Sequence, residues 1–261
     1  MSTEPVRHVD GDERPAILEL RNINKSYGSV RALTDVSFKA YAGEVIGLVG
    51  DNGAGKSSLI KTISGVHAPD AGEIFVDGIQ RHWRSPHDSM EAGIETLYQD
   101  SGLAPDLSIG SNIFLGREVM MGGPLGKLGF LDQKSMERQA LAELEKVGIS
   151  VPPSKRTVSQ LSGGQRQAVA IGRAAMWAKH VIILDEPTNH LGARQSQEVL
   201  KVIRAAREQG LCVLFISHTL PHVLEVTDRI IVLRLGRVVR DSLTSEYTVE
   251  SLLGTITGLS T

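Results

Sequence analysis

The sequence predicts an α/β fold in which a mostly parallel sheet carries helices on both faces. Short apolar runs of strand length alternate along the chain with longer segments of helical period. A glycine-rich loop joins one such run to a helical segment, and residues 181–184 are wholly apolar, as in a strand buried on both faces. With 41% apolar and 22% charged residues, the chain has the composition of a folded globular protein.

A small sheet is expected at the start of the chain. Residues 1–15 are polar and mixed in charge, which predicts a disordered tail. Residues 16–20 and 32–38 are apolar runs that predict two strands, with a turn across residues 24–30. These strands favour an N-terminal antiparallel sheet that precedes the parallel one.

A strand, a loop and a helix are predicted next, at residues 44–49, 50–55 and 56–63. Farther on the pattern becomes mostly helical, and residues 133–147 carry apolar side chains at steps of three and four. This stretch predicts an inserted helical subdomain. Residues 119–129 are rich in glycine and contain a proline, so we expect a mobile surface loop with little order there.

Strand and helix patterns alternate in the last third of the chain. Residues 162–175 predict a helix that opens on glycines, and residues 181–184 predict a buried strand. A further helix is predicted at residues 195–207 and a further strand at residues 211–216. That last run is the longest unbroken apolar one, and its six residues fall far short of the about 18–20 that a membrane-spanning helix needs.

Charge and cysteine content narrow the class of function. The formal net charge is −2, so the chain lacks the basic footprint of a nucleic-acid-binding protein. Cys212 is the single cysteine, which excludes an intrachain disulfide and a metal site built from several thiols. A reducing, cytoplasmic compartment is therefore expected.

Residues 50–57 fit the pattern G-x-x-x-x-G-K-[ST] between a predicted strand and a predicted helix, the context of a phosphate-binding loop. Glycines let the backbone N–H groups turn inward, and the helix adds its positive N-terminal end. Lys56 would place a charge on the β- and γ-phosphates, and Ser57 would bind Mg²⁺. The positions assigned to the phosphate site are Gly50, Asp51, Asn52, Gly53, Ala54, Gly55, Lys56, Ser57 and Ser58.

The apolar run at residues 181–184 ends in two carboxylates, Asp185 and Glu186. Phosphoryl transfer depends on positioning and on charge stabilisation. We expect Asp185 to hold Mg²⁺ through its coordination shell, and Glu186 to polarise a water in line with the γ-phosphate. A strand that ends in two acids is weak evidence alone, and the phosphate loop strengthens it.

The segment Leu-Ser-Gly-Gly-Gln at residues 161–165 is a more specific motif. Ser162, Gly163, Gly164 and Gln165 would bring a hydroxyl and backbone N–H groups to the start of a helix, which predicts a second anion site. With the phosphate loop before this motif and the acidic strand after it, the chain resembles the ATP-binding subunits of ABC transporters from about residue 17 to its end.

This resemblance implies a fold, cofactors and an assembly. The fold is a P-loop NTPase (RecA-like) core with a mostly parallel sheet, an N-terminal antiparallel sheet and an inserted helical subdomain. One ATPase domain would span residues 16–261, with the subdomain at about residues 100–165. The cofactors would be ATP and Mg²⁺. Two copies would pack head to tail, so that the signature motif of one closes on the nucleotide held by the other.

Three further positions match the family one by one. Tyr27 stands where an aromatic ring stacks on adenine, although a tyrosine in a turn is more often ordinary packing. Gln99 matches the glutamine that contacts the metal and the attacking water, and it begins the segment facing the membrane partner. His218 matches the histidine that reaches the γ-phosphate just past a strand. The resemblance thus assigns catalytic roles to Lys56, Gln99, Glu186 and His218, with Ser57, Gln99 and Asp185 near the metal.

One position departs from the family pattern. After residues 186–188 the family usually continues to a Leu-Asp pair whose acid helps couple the two nucleotide sites, and Gly192 replaces that acid here. Several segments, among them residues 93–99 and 112–118, resemble monosaccharide importers of the ribose, xylose and fructose type, most of all single-domain fructose import subunits. Because importers of this type often carry Leu-Gly at this position, the change marks a subfamily.

The resemblance implies an ATPase that powers monosaccharide import through a separate transmembrane permease, which a sugar-binding protein supplies. The subunit would sit peripherally on the cytoplasmic face of the inner membrane, with no nucleic acid as partner. Two alternatives remain open at this stage: an exporter subunit, or a soluble ABC-type ATPase that acts as a switch on nucleic acid or ribosomes.

Overall fold

The structure, a computed structural model, describes residues 14–149 and 157–259. Of the predicted tail, residues 1–13 lie outside the described residues. In chain order the strands are β1 (Ala16–Tyr27), β2 (Val30–Tyr41), β3 (Val45–Val49), β4 (Ala71–Val76), β5 (Ile79–Arg81), β6 (Ile94–Leu97), β7 (Val181–Asp185), β8 (Cys212–Ile216), β9 (Arg229–Arg234) and β10 (Arg237–Leu243).

The helices occupy the intervals between these strands and the end of the described chain. They are α1 (Lys56–Ile63), α2 (Pro86–Glu91), α3 (Ile109–Ile113), α4 (Pro124–Lys127), α5 (Gln133–Lys146), α6 (Gly163–Trp177), α7 (Ala193–Glu208), α8 (Leu220–Val226) and α9 (Val249–Thr257).

Within the described residues the strands form two sheets, which confirms the predicted fold class. A six-stranded sheet has the order β10-β9-β3-β8-β7-β6, and its strands pair in parallel except in the β9–β10 hairpin. An antiparallel sheet has the order β2-β1-β4-β5. The carboxyl ends of β3, β7 and β8 lie side by side, and this edge of the parallel sheet carries the candidate site.

Both faces of the central sheet are buried, because successive residues of a strand point to opposite faces. In β3, Val45 and Val49 pack into one apolar cluster with residues of α5, α6 and α7. Ile46 and Leu48 pack into a second cluster with α1 and the antiparallel sheet. This double burial accounts for the nearly continuous apolar sequence of the central strands.

The N-terminal hairpin is longer than predicted. β1 continues through Tyr27, which pairs with Val30 at the start of β2. The predicted turn across residues 24–30 is therefore reduced to the two residues between them. Polar residues extend β1 and β2 because each strand satisfies the backbone hydrogen bonds of the other, and this pairing does not depend on side-chain polarity. Gly28 takes a positive φ of 58° in this tight turn.

The region between β6 and β7 is mostly helical, and it contains α3, α4, α5 and α6. The expectation that residues 119–129 lack regular structure is wrong. They contain α4, and Met120 forms an antiparallel bridge with Leu131. The Met121 N–H donates to the Phe130 carbonyl at 2.9 Å, so backbone pairing joins the two ends of the segment that contains α4. The bounds of the subdomain, residues 100–165, stay a prediction.

A buried ionic network joins the two sheets. The Arg229 guanidinium bonds to Glu44 at 2.7 Å, to both oxygens of Asp241 at 2.9 and 2.8 Å, and to the carbonyl of Lys39. The side chains of Arg229 and Asp241 are only 5% and 2% exposed. Burial alone would lower the pKa of Arg229, but the hydrogen bonds and charges of the two carboxylates raise it, so the guanidinium stays charged.

Candidate functional site

The phosphate loop lies between β3 and α1, as predicted. Two of its glycines are required by the backbone. Gly55 has a φ of 106°, and a Cβ there would lie 2.7 Å from the carbonyl oxygen of Ala32. A Cβ on Gly50 would collide with the carbonyl oxygen of Leu233. The loop therefore packs against the neighbouring strands so closely that side chains are excluded at both positions.

Lys56, the first residue of α1, folds back over this loop. Its Nζ donates to the carbonyl oxygens of Gly50, at 2.6 Å, and Asp51, at 3.1 Å. Burial lowers the pKa of Lys56, and the negative charge of Glu186 opposes that shift. The ammonium thus lies beneath the loop, where it faces any anion that the loop binds.

A cleft of about 320 Å³ opens in front of the loop. It brings together residues far apart in the chain, from β2, the phosphate loop, the end of β7 and the segment after β8. The lining residues are Val30, Arg31, Ala32, Asn52, Gly53, Ala54, Gly55, Lys56, Ser57, Ser58, Asp185, Glu186 and His218. The loop, both acids and the histidine predicted from the sequence thus share one cavity.

The two acids differ in their surroundings. Burial and the neighbouring charge of Glu186 raise the pKa of Asp185. Glu186 has a φ of 52°, and its N–H donates to the Ile216 carbonyl at 2.9 Å, so the backbone turns sharply at the end of β7. Its carboxylate contacts His218 Nε2 at 2.7 Å and Asn189 Nδ2 at 3.1 Å. Glu186 is therefore held by side chains from two loops.

The residues in the cleft suit a bound Mg²⁺. Ser57 and Asp185 supply a hydroxyl and a carboxylate, the oxygen ligands that Mg²⁺ prefers, and Asp185 and Glu186 place two acids beside Lys56. No group of three or more His, Cys, Asp or Glu side chains among the described residues could hold a metal alone. Mg²⁺ commonly binds with one or two protein ligands, and substrate phosphates complete its coordination.

Other predicted site residues lie outside the lining of this cleft. Tyr27 is 41% exposed and meets His67 edge to face, with ring centroids 5.5 Å apart. It pairs with Val30, which does line the cleft. Gln99 is exposed just after β6. Tyr27 therefore lies at the rim of the cleft, and Gln99 is an exposed residue that does not line it.

The signature motif starts α6 at another part of the molecule. Ser162 is the N-cap: its Oγ accepts from the Gln165 N–H at 3.2 Å, and the Gln165 side chain accepts from the Ser162 N–H at 3.0 Å. Gly163 and Gly164 form the first helical positions. None of these four residues lines the cleft. Within one copy, the second predicted anion site is separate from the first.

Sequence analysis missed two residues here. Arg31 lines the cleft from β2, and Asn189 contacts Glu186 from the turn that follows β7. No sequence pattern predicts that Arg31 lines the cleft, because its position depends on the pairing of β1 with β2. Asn189 lies in the Asn-His-Leu-Gly segment already noted, but its contact with Glu186 depends on a turn that the sequence pattern does not specify.

Among the described residues, no helix combines the length and the apolar character needed to cross a membrane.

Comparisons with known proteins place the chain in a family. Residues 33–189 match the model of the ABC transporter family. The chain is 46% identical over 244 residues to the fructose import ATP-binding protein FrcA of Rhizobium meliloti, covering 93% of this chain and 94% of that protein. It is 43% identical over 241 residues to the xylose/arabinose import ATP-binding protein XylG of Sulfolobus acidocaldarius, with coverage of 92% and 94%.

A solved structure shows the same fold. The ATP-binding cassette MJ0796, in a dimeric post-hydrolysis state bound to ADP and Pi, superposes with a TM-score of 0.71 at 26% identity, over 87% of this chain and 98% of that one. The family match over residues 33–189 spans the phosphate loop, the signature helix and the acidic strand. The chain therefore belongs to the ABC transporter family, as an ATP-binding subunit whose family activity is ATP hydrolysis.

Proposed function

We propose that this chain hydrolyses ATP to power uptake of a monosaccharide through a separate membrane permease. The main support for this proposal is that Lys56, Asp185, Glu186 and His218 line the same cleft as the phosphate loop. Similarity to FrcA and XylG, over nearly their whole length, supports import of a sugar. A sugar-binding protein would deliver the substrate, and the subunit would sit on the cytoplasmic face of the inner membrane.

Each cleft residue has a proposed role. The N–H groups of the loop and the Lys56 ammonium bind the β- and γ-phosphates. The N–H groups are hydrogen-bond donors at the cleft, and Lys56 is a buried cation in contact with the loop. Ser57 and Asp185 would hold Mg²⁺, and the bound ion would neutralise phosphate charge. Glu186 accepts the proton of the attacking water, and His218 orients that carboxylate.

The remaining site residues need a second copy or a bound nucleotide. Tyr27 stacks on the adenine at the rim, and Gln99 approaches the metal and water when the subunit closes. Ser162, Gly163, Gly164 and Gln165 contact the γ-phosphate held by a partner copy in a head-to-tail dimer. The separation of α6 from the cleft within one copy supports this arrangement, as does the dimeric structure of MJ0796.

Uptake in cells tests the proposed function. Deletion of the gene should abolish uptake of at least one of labelled fructose, ribose and xylose, and the wild-type gene should restore it. A Lys56→Ala copy should not restore uptake, because the phosphate site is lost. If uptake of all three sugars is unchanged, the monosaccharide assignment is wrong. Copurification of nucleic acid instead of a polytopic membrane protein would favour the soluble switch.

A further inference from the structure

The turn after β7 places a side chain against the carboxylate of Glu186. Glu186 adopts a φ of 52°, and the Asn189 N–H donates to the Glu186 carbonyl at 3.1 Å. This bond closes a turn of four residues and brings the backbone at its two ends close together. Asn189 Nδ2 then lies 3.1 Å from Glu186 Oε2.

The two oxygens of the Glu186 carboxylate have different partners. Oε1 contacts His218 Nε2 at 2.7 Å, and Oε2 accepts from Asn189. Two contacts, one on each oxygen, fix the rotation of the carboxylate about its last bond, which one contact would leave loose. Because each oxygen has two acceptor positions, each retains one for a water in the cleft.

The orientation of the Asn189 amide follows from its other contact. Asn189 Oδ1 accepts from the His190 backbone N–H at 3.0 Å. A flipped amide would place Oδ1 against a carboxylate oxygen and the NH₂ group against an N–H, and both contacts would be repulsive. The amide nitrogen therefore faces Glu186, and the contact is a hydrogen bond to a charged group.

We propose that Asn189 is a positioning residue, which holds the Glu186 carboxylate so that a free acceptor position faces the attacking water. This proposal rests on the proposed role of Glu186. Asn189 does not line the cleft, so it acts through Glu186 and not on the nucleotide. Its loss should lower kcat and leave the KM for ATP unchanged, because only the orientation of the base is affected.

Two substitutions separate this role from a merely structural one. Asn189→Asp keeps the oxygen that accepts from His190, and hence the turn, but it replaces the donor with an oxygen that repels Glu186. Asn189→Ala removes both contacts. We expect kcat to fall about tenfold or more in both variants, with KM and ATP affinity within about twofold of wild type. Gln139→Glu makes a similar amide-to-acid change on the distant helix α5 and serves as the matched control.

Steady-state ATPase assays, ATP binding and thermal unfolding would be measured on the full chain. If Asn189→Asp keeps wild-type kcat while Asn189→Ala loses it, Asn189 only supports the turn, and the proposal is wrong. Wild-type kcat in both variants overturns it equally. A loss of kcat in both variants at unchanged melting temperature supports it. A loss in Asn189→Asp alone would come from the introduced negative charge, and wild-type kcat in Asn189→Ala would then overturn the proposal. If one variant unfolds, the other still tests the proposal, because a positioning role predicts a lower kcat with an unchanged KM for ATP.

Tests in the Glu186→Gln background distinguish failure of this proposal from failure of the proposed role of Glu186. If Glu186→Gln retains near-normal turnover, the assignment of Glu186 as base fails. If it loses turnover, Asn189→Asp should cause no further loss in that background, because the group to be positioned is absent. Single-turnover rates would be compared. An additive loss in the double variant would show that Asn189 acts elsewhere, and it would overturn the proposal.

Discussion

Two helices of this chain begin at predicted anion sites, and their N-termini differ. At α1 the N-cap is Gly55, without a side chain to bond the first N–H groups, and Lys56 lies buried beneath the loop. At α6 the N-cap Ser162 and Gln165 bond each other's backbone in a capping box. The first N–H groups of α1 thus have no capping side chain to bond them.

This difference indicates that the two predicted anion sites, here called half-sites, are not equivalent. The α1 site has a cleft and a buried cation, so we expect a single copy to bind phosphate there. The α6 start has only its cap and its glycines, and its own side chains already satisfy part of its donors. We expect it to contribute only when another site presents a phosphate to it, which agrees with the proposed dimer.

Removal of the cation should break the stronger half-site. Lys56→Ala should weaken ATP binding about 100-fold, because a charge-assisted hydrogen bond to phosphate contributes roughly 1.5–3 kcal/mol. Titration with a fluorescent ATP analogue would measure this. Lys61→Ala, in the last turn of the same helix, is the control and should bind normally. Equal affinity of Lys56→Ala and wild type would contradict the assignment of the phosphate loop.

Removal of the cap should test the weaker half-site. Ser162→Ala should lower the free energy of unfolding by about 1 kcal/mol, the usual cost of a lost N-cap. It should leave ATP binding to one copy unchanged and lower hydrolysis about tenfold. Thr248→Ala removes a similar capping box from α9 and should cost similar stability without any loss of hydrolysis. Equal hydrolysis in both variants would show that Ser162 is only a cap.

The smallest effect concerns the position that departs from the family. Gly192 is the N-cap of α7 with a φ of −69°, and a Cβ added there meets nothing within 4 Å. Gly192→Asp should therefore raise the free energy of unfolding by a few tenths of a kcal/mol through capping. Gly164→Ala is the contrasting variant, because its Cβ would lie 2.8 Å from Gln195 Cβ. Chemical denaturation would rank the two, and a destabilised Gly192→Asp would contradict the open site.

The sequence predicted the elements whose structure depends on local pattern. Helix α1 spans residues 56–63 as expected, because a glycine loop and helical spacing define both ends. Sequence motifs predicted its loop, Asp185 and Glu186, and the family resemblance assigned His218. These residues line one cleft because parallel strands end at one edge. The hairpin β1–β2 and residues 119–129 were predicted less well, because pairing between separate backbone segments decided their structure.

Contacts made by polar side chains over long distances could not be predicted. The bond from Asn189 to Glu186 depends on a turn with a positive φ, and Arg31 reaches the cleft through a strand register. Arg229 and Glu44 are 185 residues apart, so no local pattern connects them. The physical reason is common to all three: the partner is chosen by the tertiary fold.

The Arg229 network has a consequence for how this protein can vary. Loss of Arg229 would leave the buried carboxylates of Glu44 and Asp241 without their guanidinium partner, at a cost of roughly 3–5 kcal/mol. Replacement of all three by apolar residues of similar volume can be neutral or stabilising. Replacement of Arg229 alone should therefore cost more stability than joint replacement of the three residues, so these positions vary more easily together than one at a time.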